Sequence, residues 1–174
     1  MSEVVENAYR DVNIAFANEV ALICESLGTD AHTIRRLVNS LPYDPTDPDK
    51  NPFRMMMAPG VGVGGHCLPK DPWLLKYGVD THGAHKIEPS IIVESRRVND
   101  HMPTHMKGLI VDALTENGID LVDAKVTILG YAFLKDSDDT RNTPARPLIE
   151  SLSQCREITV HDPYVKEATI TADL

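Results

Sequence analysis

At 174 residues, with 17 basic against 26 acidic side chains and a formal net charge of −9, the chain can bury one good core or two small ones and is too acidic for a broad nucleic-acid surface. A local basic pocket for a pyrophosphate remains compatible with that balance. Its three cysteines, Cys24, Cys67 and Cys155, are odd in number and widely spaced without a CxxC pair, which argues against a disulfide framework or a zinc ribbon.

Residues 3–27 read as one long helix ended by Gly28, and Thr29 or Asp30 caps a second that runs to about Ser40. The middle of the first, Val12 to Cys24, is apolar on far more than one stripe, so it is expected to be buried nearly all round. In so short a chain that burial calls for a second subunit; the central helix of a monomeric bundle is the alternative. Residues 41–58 form a connection rich in Pro, Asp and Asn, closing with Arg54 and three methionines that suit core filling.

Next comes the most informative stretch, Gly62-Val63-Gly64-Gly65-His66-Cys67-Leu68-Pro69-Lys70-Asp71-Pro72. It sets a thiol between a glycine-dense loop and an acid–base pair, ahead of a short helix expected over 71–77. A helix N-terminus or a neighbouring cation lowers a thiol's pKa, the condition for nucleophilic sulfur. Gly60, Gly62, Gly64 and Gly65 then read as a floor that lets backbone approach a bound ligand closely. An inert buried thiol in a surface loop is the competing reading. On paper Gly60 to Gly65 satisfies G-x-G-x-x-G, but the dinucleotide fingerprint needs a strand before the glycines and a helix opening with them. Met-Ala-Pro precedes and His-Cys-Leu-Pro follows, so that reading is rejected.

A second long helix starts near Pro89 and runs to Asn117-Gly118, with Ile91, Val98, Met102, Met106, Leu109, Ile110 and Leu114 as its apolar stripe and a bend at Pro103. His101 and His105 stand four apart on it, but with Pro103 between them and no third ligand in view no metal site is expected. His82 and His85 fall in a glycine-containing loop. Beyond residue 124, Val126 to Gly130 reads as a buried strand, 144–154 as a helix and Ile158 to Val160 as the next strand, the start of a βαβ unit. No apolar run approaches about 20 residues and no signal-peptide pattern is seen, so cytoplasm is the expected compartment.

Three blocks in order, ENAYRDVNIAFANE, GVGGHCLPKDP and a strand followed by KDSDDTRNTPA, resemble the nucleotide-sugar 6-dehydrogenases, the UDP-glucose, GDP-mannose and UDP-N-acetylmannosamine dehydrogenases. His66 before the cysteine, with Asp-Pro-Trp at 71–73, looks most like the UDP-N-acetylmannosamine branch. The resemblance implies a mainly α central dimerisation domain over 1–120 and, over 121–174, the α/β start of a truncated Rossmann-like UDP-binding domain, with the NAD-binding domain absent. It implies two hydride transfers from the sugar C6 to NAD, a homodimer through the central helices, and no role for nucleic acid or membrane.

By the same resemblance Cys67 is the nucleophile, Asp71 manages protons on the attacking water and Asn7 holds the C6 oxygen. Lys70 stabilises oxyanion or thiolate charge, or is a solvated lysine at a helix start. Gly62, Gly64, Gly65, Arg54 and Lys135 fall on the substrate side and Arg141 on the cofactor side; for Arg54 an ordinary surface position, and for the last two a polar turn, is the alternative. Four residues before Asn7 the family carries a catalytic lysine and this chain has Glu3. The expectation is therefore a fragment inactive by itself, with a UDP-glucose dehydrogenase fragment or a non-catalytic helical module as the alternatives.

Overall fold

The computed structural model describes residues 1–40, 46, 55–85 and 87–173. Arg54 lies outside them. The described part is mainly helical, with one small parallel sheet near the C-terminal end. Helix α1 spans Ser2–Ser26 and stops where the sequence punctuates it. Gly28 takes φ 67°, and the amides of Gly28 and Thr29 fold back onto the carbonyls of Glu25 and Cys24, closing the last turn. Asp30 then caps α2 (Ala31–Val38), its carboxylate accepting from the His32 and Thr33 amides at 3.1 and 3.0 Å. Among the three methionines that follow the connection, Met56 is buried while Met55 and Met57 stay exposed.

Helix α3 (Asp71–His82) outruns its expected end at residue 77. Gly78 sits inside it as an ordinary helical residue, and the backbone leaves the helix only at Gly83, so His82 belongs to the last turn rather than to a loop. Helix α4 (Ser90–Glu116) packs against α1 and ends on Asn117 and Gly118, with φ 69° at the glycine.

Its buried face is only in part the apolar stripe expected: of that stripe Met102 is buried and Val98, Met106, Ile110 and Leu114 are half-buried. Ile91 and Leu109 are exposed, while Arg96, Asn99, Met102 and Pro103 are buried. The reason is a polar seam between the two long helices. Arg96 Nη1 meets Asp11 Oδ1 at 2.5 Å, Asn99 Nδ2 donates to the same oxygen at 2.8 Å, and Asn18 Nδ2 donates to Asn99 Oδ1 at 2.9 Å. Asn18 Oδ1 in turn accepts from the Gly60 amide at 2.8 Å, so the seam reaches the start of the glycine loop. Burial raises the Asp11 carboxyl above its ordinary value, outweighing the opposing pull of Arg96 and Asn99.

After a 3-10 turn at Leu121–Asp123 come β1 (Lys125–Leu129), α5 (Ala145–Ser151), β2 (Glu157–His161) and α6 (Glu167–Asp173). The two strands pair in parallel, Lys125 opposite Glu157 through Leu129 opposite His161, which is the expected βαβ arrangement. Neither strand is buried throughout: both alternate exposed and half-buried residues, because one face alone packs on the core of Tyr131, Ile149, Val165 and Ile170. Asp162, just past β2, accepts from four backbone amides, those of Tyr131, Ala132, Tyr164 and Val165. Burial alone raises this carboxyl, but the four donors hold it down to about 2. Among the described residues no helix is long and apolar enough to cross a membrane.

Candidate active site

The cysteine loop is held at both ends by its own backbone and by side chains from far away in sequence. Toward α3, the Cys67 carbonyl accepts from the amides of Lys70 and Asp71 at 3.0 and 2.8 Å, so the residue bearing the thiol closes the turn that leads into the helix. Asp71 opens α3 and is 3% exposed. Its Oδ2 accepts from Asn7 Nδ2 at 2.8 Å and its Oδ1 lies 2.9 Å from Lys70 Nζ. Burial pushes the Asp71 carboxyl up, yet Lys70 and Asn7 together outweigh it and hold the group below its ordinary value. The same contact raises Lys70, with electrostatic help from Cys67 and Glu3.

On its other side the loop is seated in the segment between β1 and α5. The Gly65 amide donates to the Arg141 carbonyl at 2.8 Å, and Asn142 Nδ2 donates to the Gly65 carbonyl at 2.9 Å. Phe133 occupies the space where side chains on Gly64 and Gly65 would stand: a Cβ on Gly64 would lie 2.9 Å from Phe133 Cγ, and one on Gly65 2.9 Å from Cε2. Gly65 also takes φ 88°, and Gly62, at φ 139°, backs onto Pro144 and the Asn99 carbonyl. The glycines therefore let another stretch of the chain approach, in addition to shaping a wall. Asn142 itself adopts φ 48°, a conformation that asparagine tolerates better than most residues.

These contacts leave a cavity of about 510 Å³ between α1, the cysteine loop and the 133–141 segment. Asn7, Gly62, Gly64, Gly65, Cys67 and Arg141, six of the residues singled out in sequence, line it. Asp71 stands behind Asn7, and Lys70, half exposed, pairs with Asp71. Lys135 is not on the wall; its side chain is 89% exposed beside Asp136. Arg141 is clamped by Asp139, whose oxygens accept from Arg141 Nε and Nη2, and this holds the Asp139 carboxyl down to about 2. Arg10, Ile14, Phe133, Asp139 and Asn142 also shape the site and were not read from sequence. For Arg10 a signal existed, since it stands one turn from Asn7 on the same helix.

The glycine loop has neither a strand before it nor a helix opening on it, and no such turn occurs elsewhere among the described residues. The loop therefore lacks the two flanking elements that the dinucleotide fingerprint requires. Likewise no group of three or more His, Cys, Asp or Glu among the described residues is arranged to hold a metal.

Comparison with known proteins identifies the family. Residues 1–101 match the central domain of the UDP-glucose/GDP-mannose dehydrogenase family and residues 127–174 its UDP-binding domain. The chain is 37% identical over 167 residues to the UDP-N-acetyl-D-mannosamine dehydrogenase of Pyrococcus horikoshii, covering 95% of this chain and 36% of that protein. With the Escherichia coli K12 enzyme of the same name it shares 34% identity over 173 residues, covering 96% and 37%. Among solved structures, an NDP-N-acetyl-D-galactosaminuronic acid dehydrogenase from Methanosarcina mazei superposes with a TM-score of 0.86 at 41% identity, over 95% of this chain and 35% of that one. A UDP-glucose dehydrogenase from Pyrobaculum islandicum gives a TM-score of 0.80 at 28% identity, over 98% and 36%. The chain spans about a third of the length of these relatives. On its sequence and its fold alike, it belongs to the UDP-glucose/GDP-mannose dehydrogenase family.

Proposed function

We propose that the chain forms the sulfur-bearing part of an NAD-dependent nucleotide-sugar 6-dehydrogenase that oxidises the C6 alcohol of a UDP-N-acetylhexosamine, UDP-N-acetyl-D-mannosamine first among them, to the uronic acid. The observation that carries this reading is the cavity uniting Asn7, Cys67 and Arg141, with Asp71 fixed and ionised behind it. The names of the relatives support the substrate class. The two family matches support a division into a helical part, 1–120, and an α/β part, 121–174. Two copies pair through α1, where Tyr9, Phe16 and Ile23 recur at seven-residue spacing as exposed apolar side chains.

NAD, when bound by the whole protein, supplies hydride acceptance; the described residues supply the rest. An aldehyde at C6 is a poor hydride donor, and addition of the Cys67 thiolate to its carbonyl carbon forms a thiohemiacetal that is a good one. Asn7 donates one amide hydrogen to Asp71 and keeps its second to donate to the C6 oxygen, while its own oxygen can accept from the C6 hydroxyl. At the thioester stage water adds to the carbonyl carbon while Asp71 takes its proton, the C–S bond breaks, and the thiolate and acid separate. Lys70 balances charge on Asp71 throughout.

The test is alkylation of the 174-residue chain by iodoacetamide, read at the peptides containing Cys24, Cys67 and Cys155. Cys67 is expected to react fastest and to be protected by UDP-N-acetyl-D-mannosamine, more than by UDP-glucose. Equal protection by both moves the substrate assignment to the UDP-glucose branch. No protection by either overturns the site and leaves a non-catalytic helical module.

A further inference from the structure

The cavity that exposes Cys67 carries a charge opposite to that of the chain around it. Its charged or titratable wall residues besides Cys67 are Arg10, His66 and Arg141, with no Asp or Glu among the described residues that line it. This occurs in a chain with 26 acidic and 17 basic residues. Carboxylates do stand on the walls of two other cavities: Asp100 lines the neighbouring one of about 500 Å³, together with Arg141 and Arg146, and Glu25 and Asp30 line the one beside Cys24. An anion entering the Cys67 cavity therefore meets cations and no carboxylate on the wall itself.

The two guanidinium groups are not equivalent. Arg141 is neutralised, since its fork grips both oxygens of Asp139. Among the described residues no hydrogen bond or ion pair engages the side chain of Arg10. Arg10 stands three residues after Asn7 and four before Ile14, and all three line the cavity, so one face of α1 presents them together. One turn, about 5–6 Å between Cβ atoms, separates Arg10 from Asn7. Asn7 in turn is bonded to Asp71, whose amide is bonded to the Cys67 carbonyl. The uncompensated cation thus lines the same cavity as the sulfur, on the α1 wall that also carries Asn7.

We propose that Arg10 is the anion-binding residue of the Cys67 cavity, and that it takes a carboxylate carried next to the carbon that Cys67 attacks or formed on that carbon. A guanidinium fork matches the two coplanar oxygens of a carboxylate in a way that a lysine ammonium does not. On the functional reading given above, from which the identity of the natural ligand follows, the group is the C6 carboxylate of the uronate product. Arg10 would then favour the acid over the neutral alcohol.

Iodoacetate and iodoacetamide test the assignment without any nucleotide sugar, because they deliver the same carbon to sulfur and differ only in carboxylate against amide. The 174-residue chain is alkylated with each at one fixed pH, and the rates at Cys67 and Cys155 are read by peptide mass spectrometry. Expected is an iodoacetate-to-iodoacetamide rate ratio at Cys67 roughly three- to ten-fold above that at Cys155. Arg10→Gln brings the two ratios together, and Arg10→Lys retains a good part of the preference. Lys125→Gln removes one positive charge on β1, where Lys125 pairs with Glu157, and leaves the ratio unchanged. Helical circular dichroism identical to the unsubstituted chain confirms that Arg10→Gln is folded, as an exposed helix position taking a good helix former should be. A Cys67 ratio no higher than that of Cys155, or one that survives Arg10→Gln, overturns the proposal. A preserved charge preference without protection by UDP-N-acetyl-D-mannosamine sinks the substrate and leaves Arg10 standing.

Discussion

Asn7 and Asp71, 64 residues apart in sequence, meet through an Nδ2 to Oδ2 hydrogen bond of 2.8 Å, and both side chains are buried. The bond ties α1 to the first turn of α3 and so fixes the cysteine loop against the long helix. Asn7→Ala leaves the carboxylate with Lys70 as its one polar side-chain partner among the described residues. The expected loss is about 1.5–3 kcal/mol, the worth of a hydrogen bond to a charged group, which lowers the melting temperature by roughly 3–12 °C. Calorimetry checks it, and an unchanged melting temperature would show that the bond contributes nothing.

Acid should loosen the α/β part through Asp162. Its folded value near 2 lies below its ordinary 3.8, so its stabilisation is complete above the ordinary value and is lost as pH falls from there through about 2. Asp71 acts in the same direction, since it too is lowered. Asp11, raised, acts oppositely: its contribution is present below its ordinary value and fades as pH rises through the higher folded one. Asp162→Asn replaces an acceptor oxygen with a donor among four amides, costing on the order of 2–4 kcal/mol. Urea titrations from pH 2 to 7 should show a flatter acid limb in the variant than in the unsubstituted chain.

The seat of Phe133 on the glycine loop gives a sharper steric test. Gly64→Ala drives a methyl group into the Phe133 side chain and toward the Asn142 carbonyl, with an expected cost of roughly 1–3 kcal/mol. Phe133→Gly in the same chain removes both the Cβ and the ring atoms of that clash, so the double variant should recover part of the loss. Strict additivity of the two substitutions in a double-mutant cycle would mean that the ring and the loop are not in contact.

Association through α1 is expected to bury the stripe of Tyr9, Phe16 and Ile23, which are 60%, 58% and 51% exposed. Light scattering at micromolar concentration should report a dimer, and Phe16→Glu should shift it to monomer by placing a charge in an apolar seam. A monomer in both chains refutes the pairing.

Without a dinucleotide fingerprint among its described residues, the 174-residue chain is expected to reduce no NAD with any UDP-sugar. In the whole protein, Cys67→Ser should abolish or sharply slow acid formation while a first hydride transfer stays detectable in a single turnover. Absorbance of reduced cofactor reads both. Turnover by the chain alone above a Cys67→Ala control, or full two-step oxidation by the serine variant, overturns the respective statement.

Helix ends were legible wherever local chemistry sets them. Gly28, Asp30 and Gly118 terminate or cap helices because positive φ and side-chain capping are properties of single residues. The end of α3 was not legible, because Gly78 looks like a stop signal in sequence and behaves as an ordinary helical residue in the fold. Burial along α4 was misjudged in part, at Ile91 and Leu109 and on the polar face, for a related reason. Apolar periodicity cannot register a face buried through Arg96 and Asn99, whose desolvation is offset only by Asp11 and Asn18 on another helix. At the site, Cys67, Lys70 and Asp71 share one short segment and were visible together, and Asn7 came with its motif. Phe133 and Asn142 were invisible because nothing in their own neighbourhood points to a loop some 70 residues earlier in the chain.

The carbonyl of Cys67, which closes the turn leading into α3, couples the position of its sulfur to the helix end. Any excursion that swings the thiol's backbone away must break the bonds from the Lys70 and Asp71 amides, so local opening ahead of the helix and displacement of the sulfur are one event. The hydrogen-exchange rates of those two amides therefore act as a clock for the site. A ligand that settles the sulfur should slow both together, even where no average coordinate moves.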